Sequence, residues 1–299
     1  MVKKQSPPRP ADLLRLMRPK HYIKNLLIFV SITFDRNLFN PPVLLQALLG
    51  FAAFCLLTSA VYVLNDIRDA EADRRHAVKR NRPVASGAVS VPAACLLSAV
   101  LLAAALAIQL TAFGARGGSL FFMLAYFAVN LGYSLGLKHV PFLDIVLLVM
   151  GFVLRVVYGA AIMGSCTSAW VYLTVFSLSF YLGLGKRRNE LTRTQGDTRK
   201  VLQYYSYEFL DKFMYLCLTL AVTFYALWSA DGEVAAKYGT DKLVWTVPLV
   251  MIILMKYSAD IESNSYGDPV DVITHDKVLL ALGVLFGVVM VALIYLPVA

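Results

Sequence analysis

Charge is the scarcest commodity in this sequence. Only 16% of the 299 residues are Asp, Glu, Lys or Arg, whereas 59% are hydrophobic. A soluble domain carries roughly a quarter charged residues, so this balance excludes one. The mean hydropathy of +0.65 places the chain among integral membrane proteins. Acids are scarcer still, 19 against 28 Lys and Arg, which leaves a net charge of +9. The four cysteines (Cys55, Cys95, Cys166, Cys217) show no metal-binding spacing, which leaves them as apolar filler and gives no zinc site. The four histidines are scattered, and His76 beside the acidic segment reads as an ordinary loop residue. Gly183-Leu184-Gly185-Lys186 lacks the Gly-x-x-x-x-Gly-Lys-Ser/Thr spacing of a P-loop. No short repeat or low-complexity stretch divides the chain. It reads as a flexible basic tail over 1–20, with Pro7, Pro8 and Pro10, and one membrane domain over 21–299.

Long apolar runs are what the sequence has in abundance. Nine reach the length needed to cross the hydrocarbon layer, giving an all-α membrane protein. They are Ile23–Phe34 extended to Phe39, Val43–Leu64, Val91–Phe113, Leu120–Leu137, Phe142–Met163, Trp170–Leu184, Phe209–Trp228, Leu243–Tyr257 and Val278–Val298. The first run has no small-residue cleavage site and reads as a span, not a signal peptide. Of the 28 Lys and Arg, 23 fall on the side of the N-terminus, and only Arg36, Arg116, Lys237 and Lys242 on the other. Basic residues collect on cytoplasmic loops, so the N-terminus is expected inside and the C-terminus outside. The basic excess is one face, suited to lipid headgroups or anionic substrates. It implies no nucleic-acid partner, and the oligomeric state stays open.

The densest charge follows the second run: Asn65-Asp66-Ile67-Arg68-Asp69-Ala70-Glu71-Ala72-Asp73, then Lys79-Arg80-Asn81-Arg82-Pro83. Carboxylates at the end of a span are costly unless they act. On a helix, Asp66, Asp69 and Asp73 share one face while Glu71 points off it. Such a face suits Mg2+, with Mn2+ as a substitute, a hard cation that binds phosphate oxygens alongside a few carboxylates. Lys79 and Arg82 add positive charge for the same phosphates. A solvated loop between spans is the plainer reading. The register of three aspartates with the Lys/Arg-Pro element favours a metal-diphosphate site.

Further inner segments repeat the theme. Tyr133, Lys138 and Asp144 lie around the loop between spans four and five. Asp144, Leu148, Gly151 and Arg155 run along one face of span five, with Arg155 roughly 16 Å deeper than Asp144. A guanidinium at that depth faces a cavity or an ion-pair partner, and Gly151 leaves room for a ligand or for close packing. Lys186 and Arg187 stand where span six ends, and Lys24 where span one begins. A central cavity open to the cytoplasmic side is expected at this rim.

The whole chain resembles the UbiA superfamily of intramembrane prenyltransferases. The superfamily's Asn-Asp-x-x-Asp-x-x-x-Asp metal motif is matched at every fixed position by Asn65, Asp66, Asp69 and Asp73. Members usually carry a second motif, often Asp-x-x-x-Asp. Here Asp144 stands first, and Leu148 occupies the fourth place on. Arg18-Pro19-Lys20-His21-Tyr22-Ile23-Lys24-Asn25, Tyr133-Ser134-Leu135-Gly136-Leu137-Lys138 and Gly185-Lys186-Arg187-Arg188-Asn189-Glu190-Leu191 are similar to segments of one branch. So are Gly267-Asp268-Pro269 and Asp276-Lys277-Val278-Leu279. This branch moves 5-phosphoribose from phosphoribosyl diphosphate to decaprenyl phosphate for cell-wall arabinan. The resemblance implies Mg-dependent transfer in a bacterial inner membrane. Asp66, Asp73, Lys138 and Arg155 would be catalytic. Lys24, Asn65, Lys79, Arg82, Tyr133, Lys138, Lys186 and Arg187 would bind phosphate. The alternative within the superfamily is prenyl transfer from a polyprenyl diphosphate to an aromatic or quinone-precursor acceptor. A transporter would put its charges at the bilayer midplane, and only Arg155 is placed so.

Overall fold

The apolar runs fold as helices close to where their composition ends them. The computed structural model describes residues 8–76, 78–165, 167–193, 200–263 and 268–296, and every regular element among these is helical. In chain order they begin with α1 (Pro10–Met17) and a 3-10 stretch (Pro19–Phe29) that runs into α2 (Val30–Phe34). Then come α3 (Pro41–Arg75), α4 (Val91–Ala112), α5 (Ser119–Leu135), α6 (Leu143–Met163), α7 (Ala169–Arg193) and α8 (Tyr207–Ala230). A short α9 (Gly232–Tyr238), α10 (Val247–Ser263), a short α11 (Pro269–His275) and α12 (Lys277–Tyr295) complete the chain. Pro7, Cys166, Gly267 and Val298, all quoted above, lie outside the described residues.

Three features depart from the reading of the sequence. The expected tail is structured in its second half: α1 buries Leu16 completely against Ala60 and Val63 of α3. Proline at its first position fits a helix start, and one apolar face is enough to dock it. The first expected span is not one α-helix but 11 residues of 3-10 helix followed by five of α-helix. Finally, seven helices among the described residues are long and apolar enough to cross a membrane. Nine is reached only by adding α7 and the 3-10/α2 segment, and it stays an expectation.

Close packing places these pieces around the acidic motif. α3, at 35 residues, outlasts the roughly 20 needed for the hydrocarbon, so its last turns carry Asn65 to Asp73 past the apolar run. α4 lies along α3 and α8 along α7, while α6 sits between α5 and α7. The 3-10 stretch crosses α6 at Gly159, where a Cβ would stand 2.3 Å from the Ile28 carbonyl oxygen. One apolar cluster joins Ile28, Phe54, Leu57, Met123, Leu154 and Tyr158, and another joins Ile145, Val149, Tyr181, Leu184, Leu210 and Met214. Side chains from α3, α5, α6 and α7 line a gap beside the acidic motif.

Candidate active site

A cavity of about 250 Å³ opens in that gap. Its lining includes Arg18, Lys24, Arg82, Lys138, Arg155 and Lys186, against only two carboxylates, Asp69 and Asp268. Five separate segments deliver six cations to one small space, a concentration of positive charge that suits an anion.

The aspartates of α3 are each engaged by a cation. Arg18 Nη2 donates to Asp66 Oδ1 at 2.5 Å. Arg82 Nη1 lies 2.7 Å from Asp73 Oδ2 and 3.4 Å from Asp66 Oδ1. Lys138 Nζ reaches Asp69 Oδ1 at 3.1 Å. Arg18 owes its position to the corner between α1 and the 3-10 stretch, where its φ of 55° turns the chain; its guanidinium also covers Tyr62 at 5.0 Å. Lys138 follows the tight turn at Gly136 (φ 133°), a backbone shape that glycine adopts without strain. Ser134 donates to Asn65 Oδ1, tying α5 to the motif.

Asp66 and Asp73 are buried, whereas Asp69 is half-exposed and faces the cavity. Glu71 is exposed, as its register predicts. Among the described residues no three His, Cys, Asp or Glu side chains converge closely enough to hold a metal alone. Three oxygen donors on one helix face nevertheless fit a cation that takes its remaining ligands from phosphate and water. Asp66, Asp69 and Asp73 are the residues that could hold it.

Deeper in the cavity, Arg155 is 4% exposed and has no carboxylate partner in the ion pairs of the described residues. Its Nε donates to Asn25 Oδ1 at 2.7 Å and its Nη2 to the Tyr126 hydroxyl at 2.8 Å. The ring of Tyr126 lies 4.8 Å from the guanidinium carbon. The ion-pair alternative for Arg155 is therefore not what is found: its charge is held by neutral groups beside open space. Gly151 lines that space, and its carbonyl accepts from Arg155 Nη1.

Lys24 and Lys186 meet at Asp268, with Nζ to carboxylate distances of 3.0 and 3.3 Å. The same carboxylate caps α11 by accepting from Val270 N at 3.0 Å. Burial opposes its ionisation, but Lys186 and Lys24 outweigh burial and hold the carboxyl far below the usual range. His21, just ahead of the first span, also lines the cavity. Burial first, then Lys24, Arg18 and Lys186, lower its pKa to about 4 against the pull of Asp268, so the ring is neutral near pH 7.

Two expected phosphate ligands stand elsewhere. Arg187 is fully buried: its Nε donates to Asp144 Oδ2 at 2.6 Å, its Nη1 to Glu190 at 2.6 Å and its Nη2 to the Tyr133 hydroxyl at 3.0 Å. It supports Tyr133, which does line the cavity, but does not reach the cavity itself. Lys79 begins the 3-10 turn before Arg82 and is not part of the lining. Asp144 is fully buried between Arg187 and the Tyr205 hydroxyl (2.7 Å), so it supplies no second acid to the site. Leu148 lines the cavity where that second acid would stand. The residues that the sequence reading missed are Arg18, His21, Tyr62, Tyr126, Asn130, Ser134 and Asp268. Arg18, His21, Ser134 and Asp268 lay within segments already singled out, but no spacing rule assigned them to the site.

An all-helical membrane fold with one acidic helix end ringed by cations defines a class of intramembrane transferase. The UbiA prenyltransferase family model matches residues 26–269, and the chain belongs to this family. It is similar to a decaprenyl-phosphate phosphoribosyltransferase of Corynebacterium glutamicum, 35% identical over 96% of this chain and 89% of the relative. A Mycolicibacterium smegmatis protein of the same name is 32% identical over 91% of this chain and 89% of its own length. A UbiA homolog from Archaeoglobus fulgidus, solved bound to GPP and Mg2+, superposes with a TM-score of 0.71. It is 21% identical over 94% of this chain and 99% of the homolog. The chain is a multi-pass membrane enzyme, a transferase.

Proposed function

We propose that the enzyme transfers 5-phosphoribose from phosphoribosyl diphosphate to a polyprenyl phosphate, of decaprenyl type, at the cytoplasmic face of a bacterial inner membrane. The product would serve as a precursor of cell-wall arabinan. The observation that carries this reading is the excess of cations over carboxylates in one cavity. A prenyl diphosphate brings a single diphosphate to the site. The phosphoribosyl reaction brings a diphosphate, a 5-phosphate and a lipid phosphate, and needs charge at three places. The relatives' names point the same way.

Asp66, Asp69 and Asp73 would hold Mg2+ (or Mn2+), which when bound screens the diphosphate and steadies its charge as it departs. Arg18, Arg82 and Lys138, paired with these aspartates, would present their charge to diphosphate oxygens if the carboxylates held a cation. Lys24 and Lys186, fixed by Asp268, suit the 5-phosphate. Arg155 suits the lipid phosphate, whose apolar tail passes Leu148 and Phe152 towards the bilayer. The lipid phosphate is already ionised, so its oxygen attacks ribose C1 without a general base. The new C1–O bond forms as the bond to diphosphate breaks, and diphosphate leaves with the electron pair, with inversion at C1. Holding both reactants in one cavity supplies much of the acceleration.

The test incubates purified enzyme and Mg2+ with labelled phosphoribosyl diphosphate and polyprenyl phosphate, beside a prenyl diphosphate with an aromatic acid. Phosphoribosylated lipid is expected only in the first mixture. Chelation or Asp66→Ala should abolish it, while Glu71→Ala should leave it intact. Condensation of the prenyl diphosphate with the aromatic acid, without use of phosphoribosyl diphosphate, would overturn the substrate assignment. Full turnover in a folded Asp66→Ala protein would overturn the metal site.

A further inference from the structure

We propose that the end of the bundle opposite the aspartate cavity holds a second ligand site, which takes a membrane phospholipid with a primary-amine headgroup. Two cavities meet there. The first, about 440 Å³, lies between the end of α2, the start of α7, the end of α8 and α9. The second, about 260 Å³, runs deeper between α2, α7, α8, α10 and α12. Phe34, Val171 and Trp228 line both, so the two adjoin along these side chains as a polar mouth and an apolar floor.

The mouth is anionic in a chain that is otherwise strongly basic. Four acids fall in the loops of this side, Asp35, Asp231, Glu233 and Asp241, and the first three line the mouth. Lys237, the cation of the lining, stands 3.1 Å from Asp35 and neutralises it. Asp231 Oδ1 caps α9 by accepting from Glu233 N at 2.8 Å. Its other oxygen and the exposed Glu233 carboxylate have no cation among the described residues. Trp170 and Trp228 line the same mouth, and indole faces attract ammonium groups. The mouth is also preformed, since the Tyr238 hydroxyl ties α9 to α2 by donating to the Phe34 carbonyl at 2.6 Å.

The floor offers no polar group of its own. Val175, Leu178, Ala221, Ile253 and Phe286 line it, and Val171 to Leu178 spans roughly 10 Å along α7. Thr174 and Tyr225 border it too, but Thr174 Oγ1 donates to the Trp170 carbonyl and the Tyr225 hydroxyl pairs with Thr246. The seam between mouth and floor is different. Trp228 is 3% exposed and packs against the rings of Phe34, Tyr225 and Tyr238. Its indole N–H donates to no acceptor among the described residues. That nitrogen keeps accessible surface, and the cavities Trp228 borders are these two. Carboxylates above, one free donor at the seam and an apolar channel below match the order of groups in phosphatidylethanolamine. The ammonium would meet Asp231 and Glu233, an ester carbonyl would accept from Trp228, and one acyl chain would fill the floor. An anionic headgroup, polyprenyl phosphate included, would meet like charge at the mouth.

The experiment titrates the full-length protein in detergent with phosphatidylethanolamine, phosphatidylglycerol of the same chains and polyprenyl phosphate, and counts bound lipid by native mass spectrometry. One copy of phosphatidylethanolamine should bind about 10- to 100-fold more tightly than phosphatidylglycerol, the scale of one or two charge-assisted hydrogen bonds. Asp231→Asn with Glu233→Gln, which keeps an oxygen to cap α9, should erase that preference. Trp228→Phe keeps an aromatic ring without the donor and should weaken the tight copy about 3- to 10-fold, the scale of one neutral hydrogen bond. Ala221→Phe, which fills the floor, should abolish the tight copy. Equal binding of the two phospholipids to the wild-type protein would overturn the proposal, as would displacement of phosphatidylethanolamine by an equal amount of polyprenyl phosphate. So would a preference untouched by the acid double variant, or a tight copy retained in a folded Ala221→Phe protein. Should Ala221→Phe or Trp228→Phe fail to fold, the wild-type ratio and the acid double variant decide the matter. None of these outcomes depends on the phosphoribosyl reading.

Discussion

Arg155 and Arg187 are both arginines inside the bundle, and their surroundings give them opposite roles. Arg187 is enclosed by Asp144, Glu190 and the Tyr133 hydroxyl, fully buried and away from the cavity. Removing one partner of a buried ion pair leaves the other charge stranded, at a cost of about 3–5 kcal/mol. Arg187→Met should therefore lower the melting temperature in detergent sharply. Arg187→Met combined with Asp144→Asn should recover a good part of the loss. A single variant of unchanged stability that had lost only substrate affinity would return Arg187 to the phosphate-binding set. The sequence showed Arg155 as an isolated charge far down a span, and that much was legible. It did not show the fate of Arg187, which sits in the run Lys186-Arg187-Arg188. Helical advance of about 100° per residue separates these neighbours: Lys186 goes to the cavity, Arg187 to Asp144 and Arg188 to Asp211.

The decisive element is the 3-10 stretch over Pro19–Phe29, because it brings His21 and Lys24 to the cavity and sets Asn25 against Arg155. Its contact with α6 depends on Gly159, whose missing Cβ leaves room for the Ile28 backbone. Backbone cannot swing aside as a side-chain tip can. Gly159→Ala should destabilise the fold by about 1–3 kcal/mol, as overpacking does, and should reduce turnover by displacing Lys24. Gly283→Ala in α12, where a Cβ meets nothing within 4 Å, is the control and should be neutral or slightly stabilising. Equal melting temperatures for the two variants would refute this account. The sequence indicated an apolar run here. The switch to 3-10 geometry and the close approach to Gly159, more than a hundred residues away, were not visible in the run's composition. The acidic motif is the contrasting case: its register on α3 could be read directly, since helix periodicity is local.

At the scale of the whole molecule the charge asymmetry sets the expected orientation. With 23 of 28 basic residues on one side, the aspartate cavity should face the cytoplasm. In a variant lacking the native cysteines, single cysteines placed at Gly114 and Asp231 should react with an impermeant reagent in intact cells. One at Arg80 should react only after permeabilisation. External labelling at Arg80 would reverse the orientation and place the site on the wrong side for a soluble phosphorylated donor.

The sequence by itself determined the membrane class, the approximate place of the long helices, the aspartate face of α3 and the family. Each of these depends on composition or on spacing within one segment. Only the tertiary structure decided which charges share the cavity. Arg18 meets Asp66, Asp268 joins Lys24 to Lys186, and Asp144 is withdrawn by Arg187. These pairs link residues 43 to 244 positions apart. No local pattern encodes such partners; they are chosen when helices pack and buried charge must be neutralised.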